Sequence, residues 1–512
     1  MLFEEELESN ADRLRTIYDL AAFCYDYIVT NVDDQGLFIG KYLLKSEKSN
    51  TENPNLPQLG WLNMQVEQQL LKSDSDEEHI ALPFGKTIQK IQQIVKKMEN
   101  ILEEYGEEKE NRATIPLHIL LAIDRYFTES RKLHPERTPG NRAYCEKSYI
   151  YLAPRHNISD EMAEKLDFPK EIEPPFIRML LHNLIILERS GKEEQEPPQV
   201  VQLWISPYDE MRRQLLKKQK LKIAIIPLEK AHMTMFPAVE GGTFRVEYTE
   251  WHKQNVTTIA LRLLDMAIKQ GANIIVFPEF VCSPSLQKDI QNHLQEIDKQ
   301  RPDFAKKLLF VVAGSGWTED DNNVSSIFSY NGRLLGRQYK QQRFWKTDSG
   351  EVGLLEGLRN PGKESTICEV EQIGQIMFAI CRDVSDRSRT REMARIFHPQ
   401  FLLVPAWSSS IHNGFEAQFG EIIQQNHRTC SVVCNCCEAY GTEMENRDLN
   451  GIITIPYKDK SIITGKTYQL MRNEECWKDG PCGGCIFMAD FDFRPKKEKT
   501  LRVIKKIKQN KP

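Results

Sequence analysis

Three short segments follow one another in the middle of this 512-residue chain: Phe277-Pro278-Glu279-Phe280, Gly336-Arg337-Gln338-Tyr339-Lys340 and Ala379-Ile380-Cys381-Arg382-Asp383. Each sets one reactive side chain at the end of an apolar run. A carboxylate, an ammonium and a thiol are the base, oxyanion stabiliser and nucleophile that hydrolysis of a carbon–nitrogen bond through a thioester requires. Singly they say little, since a buried cysteine is usually a small hydrophobe and lysines are common on surfaces. In this order and setting they predict a cysteine-dependent amidase. A helix amino end beside Cys381, together with Lys340, is expected to favour its thiolate, and Asp383 is expected to cap the helix that follows. Arg382 could pair with an acidic substrate group, against the plainer reading of an ordinary surface ion pair.

The elements that must hold these residues are short apolar strands alternating with helices. Leu221 to Pro227, Ala272 to Phe277, Leu308 to Ala313, Gly374 to Ile380 and Phe401 to Pro405 read as strands, with helices over Val256 to Gln270 and Ser388 to Phe397. Strands apolar on both faces belong to a sheet covered on both sides. Asn331-Gly332 joins Ser325–Tyr330 to Arg333–Tyr339 as a hairpin, and that pair suits a type I′ turn. The fold class is α/β with a mixed sheet.

Before residue 215 the periodicity is helical and no catalytic motif occurs. Leu7, Ala11, Leu14, Tyr18, Ala21, Tyr25 and Ile28 fall at three- and four-residue steps, as do Ile88, Ile91, Val95, Met98 and Ile101. A further helix is expected from Phe176 to Leu187, then a solvated connection through Pro197-Pro198. Segments 45–58 and 72–79 read as loops. No phosphate-binding glycine loop is present, so residues 1–215 are expected to form a mainly helical regulatory or oligomerisation domain.

The three segments resemble the nitrilase superfamily, the carbon–nitrogen hydrolases, over residues 221–493. That resemblance implies an α-β-β-α sandwich with a Glu-Lys-Cys triad, here Glu279, Lys340 and Cys381. It also implies a second glutamate upstream of a Pro-Gly pair. Glu356, five residues before Pro361-Gly362, is the better match and Glu351 the alternative. Trp407, after Val404-Pro405-Ala406, resembles a pocket-lining position, and the last family strand is matched by Gly484 to Asp492. The family's usual segment before the strand at Ser431 to Cys434 reads Gln424-Gln425-Asn426-His427-Arg428 here, a departure. Family members pair through helices beside the site, which points to the helix near Phe415 to Asn426 as the surface of a homodimer or larger homo-oligomer. The implied substrate is a small-molecule amide before a nitrile, and no cofactor is implied.

Composition bounds the rest. Charged residues make up 28% of the chain and hydrophobic ones 40%, and no run approaches the roughly 20 apolar residues of a membrane span. With an acidic start at Met1-Leu2-Phe3-Glu4-Glu5-Glu6, the expectation is a cytoplasmic protein with reduced thiols. The net charge is −5, and residues 494–512 hold nine Lys/Arg against Glu498, which leaves −5 − 8 = −13 elsewhere. This basic end reads as a solvated tail, with nucleic acid as the lesser alternative. Cys430, Cys434, Cys436 and Cys437, with Cys476, Cys482 and Cys485, could hold zinc. Adjacent strand cysteines point to opposite faces, so unliganded thiols are the preferred reading. The competing function is a catalytically inactive nitrilase-fold binding scaffold in signalling or phage defence, which predicts an inert Cys381.

Overall fold

Alternation of apolar residues decides how the sheets stack. In the computed structural model, the strand Lys220–Ile225 directs Leu221, Ile223 and Ile225 into one buried layer and Ala224 into another, because successive strand side chains face opposite ways. The structure describes residues 3–11, 14, 17–31, 65–66, 68–69, 84–104, 113–133, 148–152, 184–188, 199–205, 220–228, 233–237, 242–250, 252–346, 354–370, 373–385, 390, 393–394, 397, 399–408, 411–426, 429–437, 449–459, 462–471, 485–492 and 500–507.

Numbered along the chain, the strands are β1 Ser148–Leu152, β2 Leu184–Glu188, β3 Gln199–Ile205, β4 Lys220–Ile225, β5 Met233–Pro237, β6 Thr243–Tyr248 and β7 Ile274–Val276. Then come β8 Phe310–Trp317, β9 Asn323–Ser329, β10 Leu334–Tyr339, β11 Trp345–Lys346, β12 Leu354–Glu356, β13 Glu364–Val370 and β14 Gly374–Phe378. The last are β15 Phe401–Ala406, β16 Cys430–Asn435, β17 Leu449–Asp459, β18 Ile462–Met471, β19 Ile486–Asp492 and β20 Thr500–Ile507.

The chain divides into two compact units, Met1–Arg155 with Glu164–Pro197, and Pro198–Pro512 with His156–Ala163. The first holds helices Phe3–Asn10, Ile17–Asn31, Phe84–Glu104 and Thr114–Leu133 around Leu7, Leu20, Tyr25, Ile28, Ile91, Val95, Ile119 and Ile123. It is not wholly helical. Where a helix over Phe176–Leu187 was expected, Leu184–Glu188 is a strand in antiparallel register with Ser148–Leu152. Pairing with a distant segment overrides local periodicity in so short an apolar run. Segments 45–58 and 72–79 lie outside the described residues. None of the described helices is long and apolar enough to cross a membrane.

The second unit stacks two seven-stranded sheets, β10-β9-β8-β7-β4-β19-β20 and β18-β17-β16-β15-β14-β13-β3. Between them lie Ile223, Ile274, Phe310 and Phe487 from the first and Ile376, Phe378, Phe401, Val432 and Ile453 from the second. Helices Thr257–Lys269 and Pro284–Gln300 cover the outer face of the first sheet through Leu263, Leu264, Ile290 and Leu294. Helix Glu416–Asn426 covers β17 and β18, burying Phe419, Ile422 and Ile423, with its Gly420 facing Gly465. This is an α-β-β-α sandwich of α/β class. Both sheets are mixed: β4, β7 and β8 run parallel, as do β14, β15 and β16, with antiparallel strands flanking them.

Two boundaries and one turn differ from the sequence reading. Strand β3, placed in the helical region by its position before residue 215, pairs in parallel with β13 and belongs to the second unit. Residues 500–507, expected in a solvated tail, form β20 against β19, since Leu501, Val503 and Ile504 supply strand-forming residues that net charge conceals. The hairpin turn is not type I′. Only Gly332 has positive φ, at 74°, and its N–H bonds Ser329 O at 2.9 Å, which makes a type I turn followed by a left-handed glycine.

One close approach sets the base of the reactive region. Gly314 has φ +64°, and a Cβ there would lie 2.3 Å from Pro278 O and 2.5 Å from Cys282 Sγ. Gly314→Ala is therefore expected to destabilise the protein by about 3 kcal/mol or more, whereas Gly420→Ala, whose Cβ meets nothing within 4 Å, should stabilise by about 0.5–1 kcal/mol as helix propensity dictates. Thermal unfolding of the two variants checks the contrast.

Candidate active site

The carboxyl ends of three strands from the two sheets converge. Glu279 follows β7, Cys381 follows β14 and Trp407 follows β15, while Glu279 N donates to Ala406 O across the two sheets at 3.3 Å. Lys340 enters one residue past β10, and Glu356 closes β12 of a small four-stranded sheet, β11-β12-β6-β5. Glu279, Lys340, Glu356, Cys381 and Trp407 are all buried.

Their contacts centre on the ammonium. Lys340 Nζ lies 2.5 Å from Glu279 Oε1 and 2.8 Å from Glu356 Oε2, with all three side chains fully shielded from solvent. Backbone donors fix the carboxylates: Trp407 N donates to Glu279 Oε2 at 2.9 Å and Phe344 N to Glu356 Oε2 at 2.9 Å. The Cys381 thiol donates weakly to Trp407 O at 3.8 Å. Phe280 and Phe344 face the ammonium, 5.1 and 6.0 Å from their ring centroids, and both rings meet Trp407 edge to face.

The backbone is strained at two of these positions. Cys381 has φ 45° and Phe280, directly after Glu279, has φ 61°. Val281 N bonds Glu279 O at 2.7 Å, so Phe280 sits at the centre of a tight three-residue turn rarely populated by bulky residues.

Electrostatics corrects the expected thiolate. Burial pushes the Cys381 thiol well above its ordinary range and Glu279 adds to the rise, with Lys340 offsetting only part. The lysine charge is already shared between two carboxylates, and Cys381–Ser385 is a single tight turn, not the start of an α-helix. The resting group is a protonated thiol. Burial lifts Glu279 above the usual carboxylate range against the pull of Lys340. Burial lowers Lys340, but Glu279, Glu356 and Cys381 outweigh it and hold the ammonium charged.

Asp383 binds backbone N–H groups behind it and across from it, and the start of the helix it was expected to cap lies outside the described residues. Its Oδ1 accepts from Gln341 N at 2.9 Å and Gln342 N at 2.8 Å, and its Oδ2 accepts from Ile380 N at 3.0 Å. It ties the segment after Lys340 to the turn at Cys381. Asn323, which nothing in the local sequence marks, donates through Nδ2 to Glu279 Oε1 at 2.9 Å and Glu356 Oε1 at 3.3 Å. Arg382 is exposed, outside this cluster, and Glu351 lies beyond the described residues. No group of three or more His, Cys, Asp or Glu side chains suited to a metal occurs among the described residues. Cys430, Cys434 and Cys485 are buried between the sheets and Cys436 in the layer under the helices, while Cys476 and Cys482 lie outside the described residues.

Burial pushes Asp383 up to about 7, against Lys340 and its three backbone donors. An unfolded aspartate titrates near about 4, so the folded protein holds a proton that the unfolded chain has lost between those values. Stability from this group is full below about pH 4 and is lost as pH rises through 7. Asp383→Asn should flatten the melting temperature between pH 5 and 8 relative to wild type; parallel pH curves would contradict this.

No protein-family model matches the chain, and no curated protein matches its sequence. Solved structures do. Saccharomyces cerevisiae Nit3, a member of branch 10 of the nitrilase superfamily, aligns at 15% identity and TM-score 0.32 over 50% of this chain and 91% of its own. An amidase from Nesterenkonia sp. aligns at 12% identity and TM-score 0.32, over 51% of this chain and 93% of its own. The C. elegans NitFhit protein aligns at 13% and 0.32, over 50% and 61%. Each of these alignments spans about half of this chain.

Proposed function

We propose that this chain is a cysteine-dependent hydrolase of non-peptide carbon–nitrogen bonds, acting on amides in preference to nitriles. The observation that carries the reading is one buried cluster in which Lys340 bridges Glu279 and Glu356 beside the Cys381 thiol.

Each group has a role that its environment supports. The Cys381 thiol gives its proton to Glu279 as sulfur attacks the amide carbon, so the thiolate forms only when the substrate is in place. An ammonium has three N–H groups. Two of those on Lys340 meet carboxylates, and the third is available to the oxygen on which charge develops, with the backbone N–H of Arg382 as a second donor. Glu279 then returns the proton to the nitrogen, ammonia or an amine leaves, and water attacks the thioester with Glu279 again as base. Glu356 holds Lys340 and orients the water. Phe280, Phe344 and Trp407 supply apolar walls, and the lysine charge is spent on the carboxylates, so a small uncharged amide fits better than an acidic one. No cofactor takes part. The helical unit is assigned a regulatory or oligomerisation role.

The test joins intact mass spectrometry after limited alkylation with ammonia release from a panel of small amides. Wild type should turn over an amide with its acid limb above the ordinary carboxylate range, as the raised Glu279 requires. Cys381→Ala, Glu279→Gln and Lys340→Met should each lower kcat by about a thousandfold or more. A Cys381 no more reactive than the other buried thiols, with no amide turned over, would favour the inactive scaffold.

A further inference from the structure

Asn323 opens β9 at 1% exposure, and two of its polar groups bond members of the reactive cluster. Its main-chain oxygen accepts Lys340 N–H at 2.9 Å. Its side-chain Nδ2 donates to one oxygen of Glu279 and one of Glu356. Because both partners are carboxylates, the nitrogen must face them and the carbonyl oxygen must face away. That Oδ1 is buried without a hydrogen-bond partner in the protein. A buried acceptor left so calls for a donor. Ser325, two residues on and on the same face of β9, and Ser315, opposite it on β8, also bury hydroxyls without protein partners, so the surroundings are polar rather than a dry apolar wall.

The position of the missing donor follows from the proposed reaction, on which this inference rests. Glu279 must deliver a proton to the departing nitrogen, so that nitrogen lies beside the carboxylate that Asn323 holds. The same planar amide that contacts Glu279 carries the unpartnered oxygen. We propose that Asn323 is a further catalytic residue, fixing both carboxylates through Nδ2 and accepting through Oδ1 an N–H of the substrate carboxamide. It would thus distinguish substrates that carry an N–H on the scissile nitrogen from those that do not.

The titratable groups facing this amide are Glu279, Glu356 and Lys340. Cys381 and Tyr248 interact with Glu279, Cys282 with Tyr248, and Lys340 acts on Asp383. Losing a donor to the carboxylates raises the pH at which Glu279 serves as base, and a third carboxylate raises it further.

The experiment uses the full chain as wild type, Asn323→Leu and Asn323→Asp, with alkylation of Cys381 by iodoacetamide and by N,N-dimethyl-iodoacetamide followed by intact mass across pH. The pH inflection for iodoacetamide should move up by about one unit in Asn323→Leu and further in Asn323→Asp. The preference for iodoacetamide over its dimethyl form should fall at least tenfold in Asn323→Leu. The backbone bond to Lys340 survives both substitutions, and the isosteric Asp variant serves if Leu fails to fold. An unchanged preference, with or without a shifted inflection, overturns the proposal. A wild-type Cys381 that is not selectively labelled sinks the hydrolase reading beneath it, a different and separately visible result.

Discussion

One ammonium held between two carboxylates, with all three groups cut off from solvent, is the constraint on which the rest of this unit depends. A charge moved from water into a protein interior is costly unless it is paired and hydrogen-bonded. Lys340 is close to both Glu279 and Glu356, and each carboxylate takes further donors from Trp407, Phe344 and Asn323. Removing one member would leave an uncompensated charge at a cost of about 3–5 kcal/mol. The arrangement therefore demands its partners from five separate parts of the chain, and the fold must deliver them together.

The same charge balance governs Cys381. Two carboxylates outweigh one ammonium, so the neighbourhood of Cys381 is negative before the thiol titrates, and burial adds to the cost of a thiolate. A protonated thiol beside a raised carboxylate is suited to concerted proton transfer rather than to standing as an activated anion. In the proposed reaction the sulfur would stay unreactive until a carbonyl is in place.

Holding these groups requires backbone that local preferences disfavour. Positive φ at Phe280 and Cys381 persists because the surrounding layers over-determine it. Gly314 leaves room for Pro278, and Asp383 gathers three N–H groups from the segments bearing Lys340 and Cys381. Gln338 and Gln341 extend the same tie, both donating to Glu364 O and so joining the end of β10 to β13 of the opposite sheet. The reactive end of the sandwich is thus laced by polar contacts where apolar packing thins out.

What the sequence determined by itself was the chemistry-bearing residues and the elements that carry them. Glu279, Lys340 and Cys381 each follow a strand, and runs such as Ile223–Ile226 and Phe401–Val404 are apolar on both faces, which only a sheet covered on both sides can bury. The tertiary structure alone decided what depends on distant partners. Leu184–Glu188 and Thr500–Ile507 are strands because β1 and β19 lie alongside them, a fact absent from their own periodicity and charge. Asn323 opens β9 with no local signal, Asp383 bonds backward and across to the segment after Lys340, and Arg382 beside Cys381 is exposed. The protonation of Cys381 belongs to this second class, since burial and the sharing of the Lys340 charge between two carboxylates are sums over groups far apart in the chain.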